Sequence, residues 1–157
     1  MKIKFIILLL FPVVLLLVRC QKAPDFPVTP SIAFVSFNQT KIHPGKDSLK
    51  ITFSFTDGDG DLGYEQGQNT SGDTTIHVTD VRVNKTDYTY VFEMPYITPK
   101  GSYKQVSGKF IIDMIGVCNC RPDHNFFDTV SYKIKIHDRA GHESNQITTP
   151  KVYLICN

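Results

Sequence analysis

The chain predicts a small all-β domain, an antiparallel sandwich of about seven strands, and two observations carry that expectation. From residue 31 onward apolar side chains recur with a period of two rather than 3.6. Turn-forming clusters interrupt the runs at short intervals: Pro44-Gly45, Asn84-Lys85-Thr86-Asp87, Pro99-Lys100-Gly101 and Ala140-Gly141.

Taken in order, Ile32–Phe37 is the first expected strand. In the second, Leu49, Ile51, Phe53 and Phe55 alternate with Lys50, Thr52 and Ser54, as a strand with one buried and one wet face requires. Ile76–Val83 and Tyr88–Glu93 follow as the third and fourth. Val106, Phe110, Ile112 and Met114 share one face of the fifth. Val130, Tyr132, Ile134 and Ile136 alternate with Ser131, Lys133, Lys135 and His137 in the sixth, and Val152–Cys156 is the seventh. This pattern favours a single immunoglobulin-like or fibronectin III-like sandwich over residues 31–157, with a small barrel or jelly roll as the alternative. If the strands run up and down, the loops after the second and sixth strands meet at one end.

The N-terminus is of a different kind. Lys2 and Lys4 precede an unbroken apolar run from Phe5 to Val18, too short for the roughly 20 residues that span a bilayer but suited to a secretory signal. A single-pass anchor is the alternative. The run ends in Leu17-Val18-Arg19-Cys20, which resembles the lipobox of bacterial lipoproteins, although Arg19 stands where a small residue is usual. The resemblance implies a signal peptide over residues 1–19 and a lipid on Cys20, held in a membrane by roughly 0.8 kcal/mol per buried methylene. Residues 20–30 hold Pro24, Pro27 and Pro30 and read as an extended linker of up to ~3.3 Å per residue.

Loss of the signal removes Lys2, Lys4 and Arg19, three of the 17 basic residues, and leaves 14 against 15 acidic ones. The mature domain is then near neutral, without the clustered basic face that nucleic-acid binding needs. Export permits disulfides. Cys118 and Cys120 are too close in sequence to bridge each other comfortably, so either one with Cys156 is the expected pair.

The second expected strand runs into Asp57-Gly58-Asp59-Gly60-Asp61-Leu62-Gly63. Alternating aspartates on a glycine-rich turn can aim several carboxylates at one point, and Ca²⁺ takes six to eight oxygen ligands. Leu62 and Gln68 occupy the positions where an EF-hand has Gly and Glu, so the loop is not of that type. Asp138, in the loop expected at the same end, joins Asp57, Asp59 and Asp61 as a candidate Ca²⁺ ligand. The competing reading is an Asx-rich turn whose carboxylates cap backbone N–H groups. The Gly58-x-Gly60-x-x-Gly63 spacing of a dinucleotide fingerprint carries no weight, because Asp59 and Asp61 would repel a pyrophosphate and no helix follows. Cys118-x-Cys120 with His124 matches no established zinc spacing, and no nucleophile elbow or Ser–His–acid order is apparent.

Three segments together, ITFSFTDGDGDLG (51–63), ITPKGSYKQVSG (97–108) and YKIKIHDRAGHESN (132–145), resemble a group of envelope lipoproteins of Bacteroidota-type bacteria. The last is also similar to a hairpin of bacterial immunoglobulin-like and cadherin-like repeats. The resemblance supports the sandwich and, since fold does not fix function, adds little about activity. The expected role is a non-enzymatic binding or adhesion module anchored in the cell envelope, at the outer membrane, that meets a glycan, a peptide or an envelope protein. The alternative is a structural accessory subunit of a larger envelope complex. The glycine-, asparagine- and threonine-rich loop between Gly63 and Thr75 suits binding.

Overall fold

The structure, a computed structural model, describes residues 25–64, 75–82, 88–97, 99, 104–116, 118–124 and 126–156. The expected signal peptide, Cys20, the start of the linker and most of the Gly63–Thr75 loop lie outside the described residues. Among the described residues there is no helix and there are ten strands: β1 (Ser31–Phe37), β2 (Lys41–Ile42), β3 (Lys50–Asp57), β4 (Thr75–Asp80), β5 (Tyr88–Glu93), β6 (Val106–Asp113), β7 (Phe127–Val130), β8 (Tyr132–Ile136), β9 (Ile147–Thr148) and β10 (Val152–Ile155). They form three sheets, ordered β1-β3-β6, β2-β10-β7 and β5-β4-β8-β9. Every pairing is antiparallel except β2 with β10. None of the sheets closes into a barrel.

One buried cluster joins the three sheets. Ile51, Phe53 and Phe55 of β3, Ile76 and Val78 of β4, Tyr132, Ile134 and Ile136 of β8, and Val152 and Leu154 of β10 all belong to it. Phe53 faces Phe110 across the β3–β6 ladder, with ring centroids 5.7 Å apart, an aromatic cross-strand pair of the kind that stabilises sheets.

The all-β expectation holds, but seven strands become ten. The long run Val130–His137 is two strands. Val130 pairs with Val152 in one sheet and Tyr132 with Asp80 in another, so the chain changes sheets at Ser131. Val81 N–H donates to the Ser131 carbonyl at 3.1 Å, which keeps the change of sheet hydrogen-bonded. β2 and β9, two residues each, are too short for any alternation to show.

The same period of two carries four acids into the interior. Asp57 follows Ile51, Phe53 and Phe55 on the inward face of β3, and Asp138 follows Tyr132, Ile134 and Ile136 on that of β8. Asp80 follows Ile76 and Val78 on β4, and Asp128 precedes Val130 on β7. All four are buried. Buried carboxylates need partners or neutralisation, and how each is answered distinguishes structural from functional sites.

Candidate functional site

Asp80 and Asp128 are answered by arginine. Arg82 Nε donates to Asp80 Oδ1 at 3.0 Å, and its Nη1 donates to Asp128 Oδ2 at 2.9 Å. Arg121 Nη2 adds a bond to Asp128 Oδ1 at 2.9 Å. Burial alone would raise the Asp128 pKa, but the hydrogen bonds from Arg121, Thr129 and Arg82 outweigh it and hold the group at about 2. This network joins β4, β7 and the segment before β7, and it is structural.

The other end of the molecule differs. Asp57, Asp59 and Asp61 bring one carboxylate oxygen each within 4.8 Å of one another. Asp57 Oδ2 accepts from the Gly60 and Asp61 N–H groups at 2.8 and 3.1 Å. Asp61 Oδ2 accepts from the Ala140 N–H at 3.0 Å. Those bonds are the Asx-turn chemistry that the sequence also allows. The Oδ1 atoms of Asp57, Asp59 and Asp61 are each inaccessible to solvent and have no hydrogen-bond partner. Burial, then the charges of Asp59 and Asp61, push the Asp57 carboxyl up to about 6. Burial and then Asp138 likewise raise Asp61.

Local backbone explains the convergence. Gly60 and Gly63 have φ of 69° and 73°, a region that side chains disfavour. A Cβ on Gly63 would lie 2.0 Å from the Pro95 carbonyl oxygen. The loop is thus pressed against the 94–97 segment, where Ile97 N–H donates to the Leu62 carbonyl at 3.2 Å. On its other side Arg139 N–H donates to the Asp61 carbonyl at 3.2 Å, so the loops after β3 and after β8 do meet.

Asp138 departs from the expectation. It lies near enough to raise Asp61, yet its Oδ1 accepts from the His142 N–H at 2.7 Å and its Oδ2 pairs with His142 Nδ1 at 2.8 Å. Both oxygens are therefore engaged in closing the 138–142 turn, and Asp138 is a neighbour of the cluster rather than a member of it. The pairing with Asp138 raises the His142 pKa. Of the two cysteines open to Cys156, the structure joins Cys120. Cys118 is a buried free thiol, 3.2 Å from the Tyr132 hydroxyl, with a pKa raised by burial. Cys120, as a disulfide sulfur, offers no thiolate to a metal, which removes the Cys118-x-Cys120 zinc set.

Sequence reasoning missed an open cleft of about 410 Å³ beside the acidic loop, lined by Tyr64, Glu93, Met94, Pro95 and Tyr96. Arg139 stands over the Tyr96 ring, 5.2 Å from its centroid, and Nη1 donates to the Gly63 carbonyl at 2.5 Å. The cleft draws on residues on either side of an isolated bridge, Tyr64 with Pro95, and no local periodicity marks such a pairing. No protein-family model and no curated protein matches the chain.

Proposed function

We propose that the chain is a lipid-anchored, non-catalytic binding module of the bacterial envelope. In this reading it is an immunoglobulin-like sandwich tethered through Cys20 to the outer membrane, and its acidic-loop end meets a glycan or peptide. The observation that carries the reading is the cleft at that end. Its volume falls in the range of ligand sites, and Tyr64 and Tyr96 supply flat apolar faces beside the carboxylate of Glu93. Such a mixture suits a polar ligand with apolar faces. A cation held by the adjoining acidic loop would act here as a rigidifier of the presenting end, not as a reactant.

A second reading, an accessory subunit of an envelope complex, draws on β5. Among the described residues this strand ends its sheet, and its Tyr88 and Val91 are exposed, a surface suited to strand addition. Extraction of the full chain from envelopes separates the two. The binding module predicts a membrane-bound monomer that retains saccharide or peptide, loses it in Tyr96→Ala, and moves to the soluble fraction in Cys20→Ser. A stoichiometric protein partner, lost when Val91→Lys is introduced, would favour the accessory subunit instead. Turnover abolished by one His or Asp substitution would overturn both.

A further inference from the structure

We propose that Asp57, Asp59 and Asp61 hold one Ca²⁺ through their Oδ1 atoms. The proposal stands apart from the binding-module reading, since a structural ion needs no ligand for the domain. Three carboxylates at one turn do not make a metal site, because such turns cap their own backbone. Here the capping is already accounted for by Oδ2 of Asp57 and of Asp61. What it leaves is three Oδ1 atoms shut off from water with nothing bonded to them.

Asp57 decides the matter. It is 0 % exposed, so water does not solvate its second oxygen, and among the described residues two more carboxylates each bring an oxygen within 4.8 Å of one of its own. An unanswered buried charge is strongly unfavourable, and at Asp80 and Asp128 the same protein supplies arginines. Protonation would answer Asp57 alone, whereas a cation that accepts three oxygens at once answers all three carboxylates.

The donor set identifies the class. It is oxygen only, with no thiolate or imidazole in the group, which selects a hard cation over zinc or copper. Mg²⁺ demands near-ideal octahedral geometry and keeps its waters, whereas Ca²⁺ accepts irregular, largely dehydrated cages and completes them with carbonyls or a few waters. Oxygens already withdrawn from solvent on an irregular loop fit Ca²⁺. Asp138 acts as a positioning residue: by bonding His142 it closes the turn that presents the Ala140 N–H to Asp61.

The test is calcium titration of the full chain in detergent after removal of metal with chelator, with thermal unfolding in EDTA, in millimolar Ca²⁺ and in millimolar Mg²⁺. The expected result is one Ca²⁺ per chain and a rise in Tm of about 5–10 °C with Ca²⁺, with a clearly smaller rise in Mg²⁺. Asp59→Asn, a near-isosteric change at a half-buried position, is expected to weaken Ca²⁺ binding tenfold or more. Asp113→Asn, on the distant Lys50 pair, is expected to leave it unchanged. Absence of heat and of any Tm shift in the wild-type chain, or an Asp59→Asn titration equal to wild type, would overturn the site. Equal stabilisation by Mg²⁺ would overturn the choice of ion.

Discussion

Arg82 answers two carboxylates that the fold buries, Asp80 and Asp128, and is itself only 6 % exposed. Truncating one member of a buried ionic group leaves the others uncompensated. Arg82→Ala is therefore expected to cost about 3–5 kcal/mol in urea unfolding. Asp128 makes the same network sensitive to acid. Its folded pKa of about 2 lies below the ordinary value of 3.8. A depressed carboxylate contributes stability that is present above the unfolded pKa and lost as pH falls through the folded one. Stability is therefore expected to fall by about 2 kcal/mol between pH 5 and pH 2 through this group. Asp128→Asn, followed by urea unfolding at both pH values, should flatten that part of the profile.

For strands and their connections, alternation reports burial and says nothing of partners. From Asp128 to Asp138 the chain alternates buried and half-buried positions without a break, although the strand leaves one sheet and enters another at Ser131. That change was invisible in the sequence because the burial pattern crosses it unaltered. The long strands were legible because eight residues such as Lys50–Asp57 hold several full periods. The two-residue strands hold none. Asp57, Asp59 and Asp61 were legible as a cluster, whereas the engagement of Asp138 by His142 depends on a turn geometry that residue spacing leaves open. The buried acids carry a sequence signal of their own, since Asp80 and Asp128 occupy inward positions of apolar alternations. The Cys120–Cys156 bridge fastens the segment before β7 to the end of β10 and spans 36 positions, a closure worth roughly 3–4 kcal/mol. If Cys20 is acylated as proposed, the denatured chain should titrate one thiol, Cys118, before reduction and three after it. Reduction should lower the urea midpoint accordingly.

Across the molecule, the acidic loop is where several elements meet. Asp61 binds the 139–140 turn, Leu62 and Gly63 bind the 95–97 segment and Arg139, and the backbone of Gly58 abuts the Phe26 carbonyl, 2.3 Å from where a Cβ would stand. The 26–27 segment therefore runs against the same loop that carries the aspartates, and an ion there would brace the cleft and that segment together. Hydrogen exchange of the full chain in EDTA and in millimolar Ca²⁺ tests this directly. Five amides report on the loop: Gly60, Asp61, Ile97, Arg139 and Ala140, all of which donate into it or across it. Ca²⁺ is predicted to slow their exchange about tenfold or more, as the lost opening fluctuations of a ligand-bound native state require, while amides of the β7–β10 ladder change far less. Identical exchange at those five positions with and without Ca²⁺ would contradict the account.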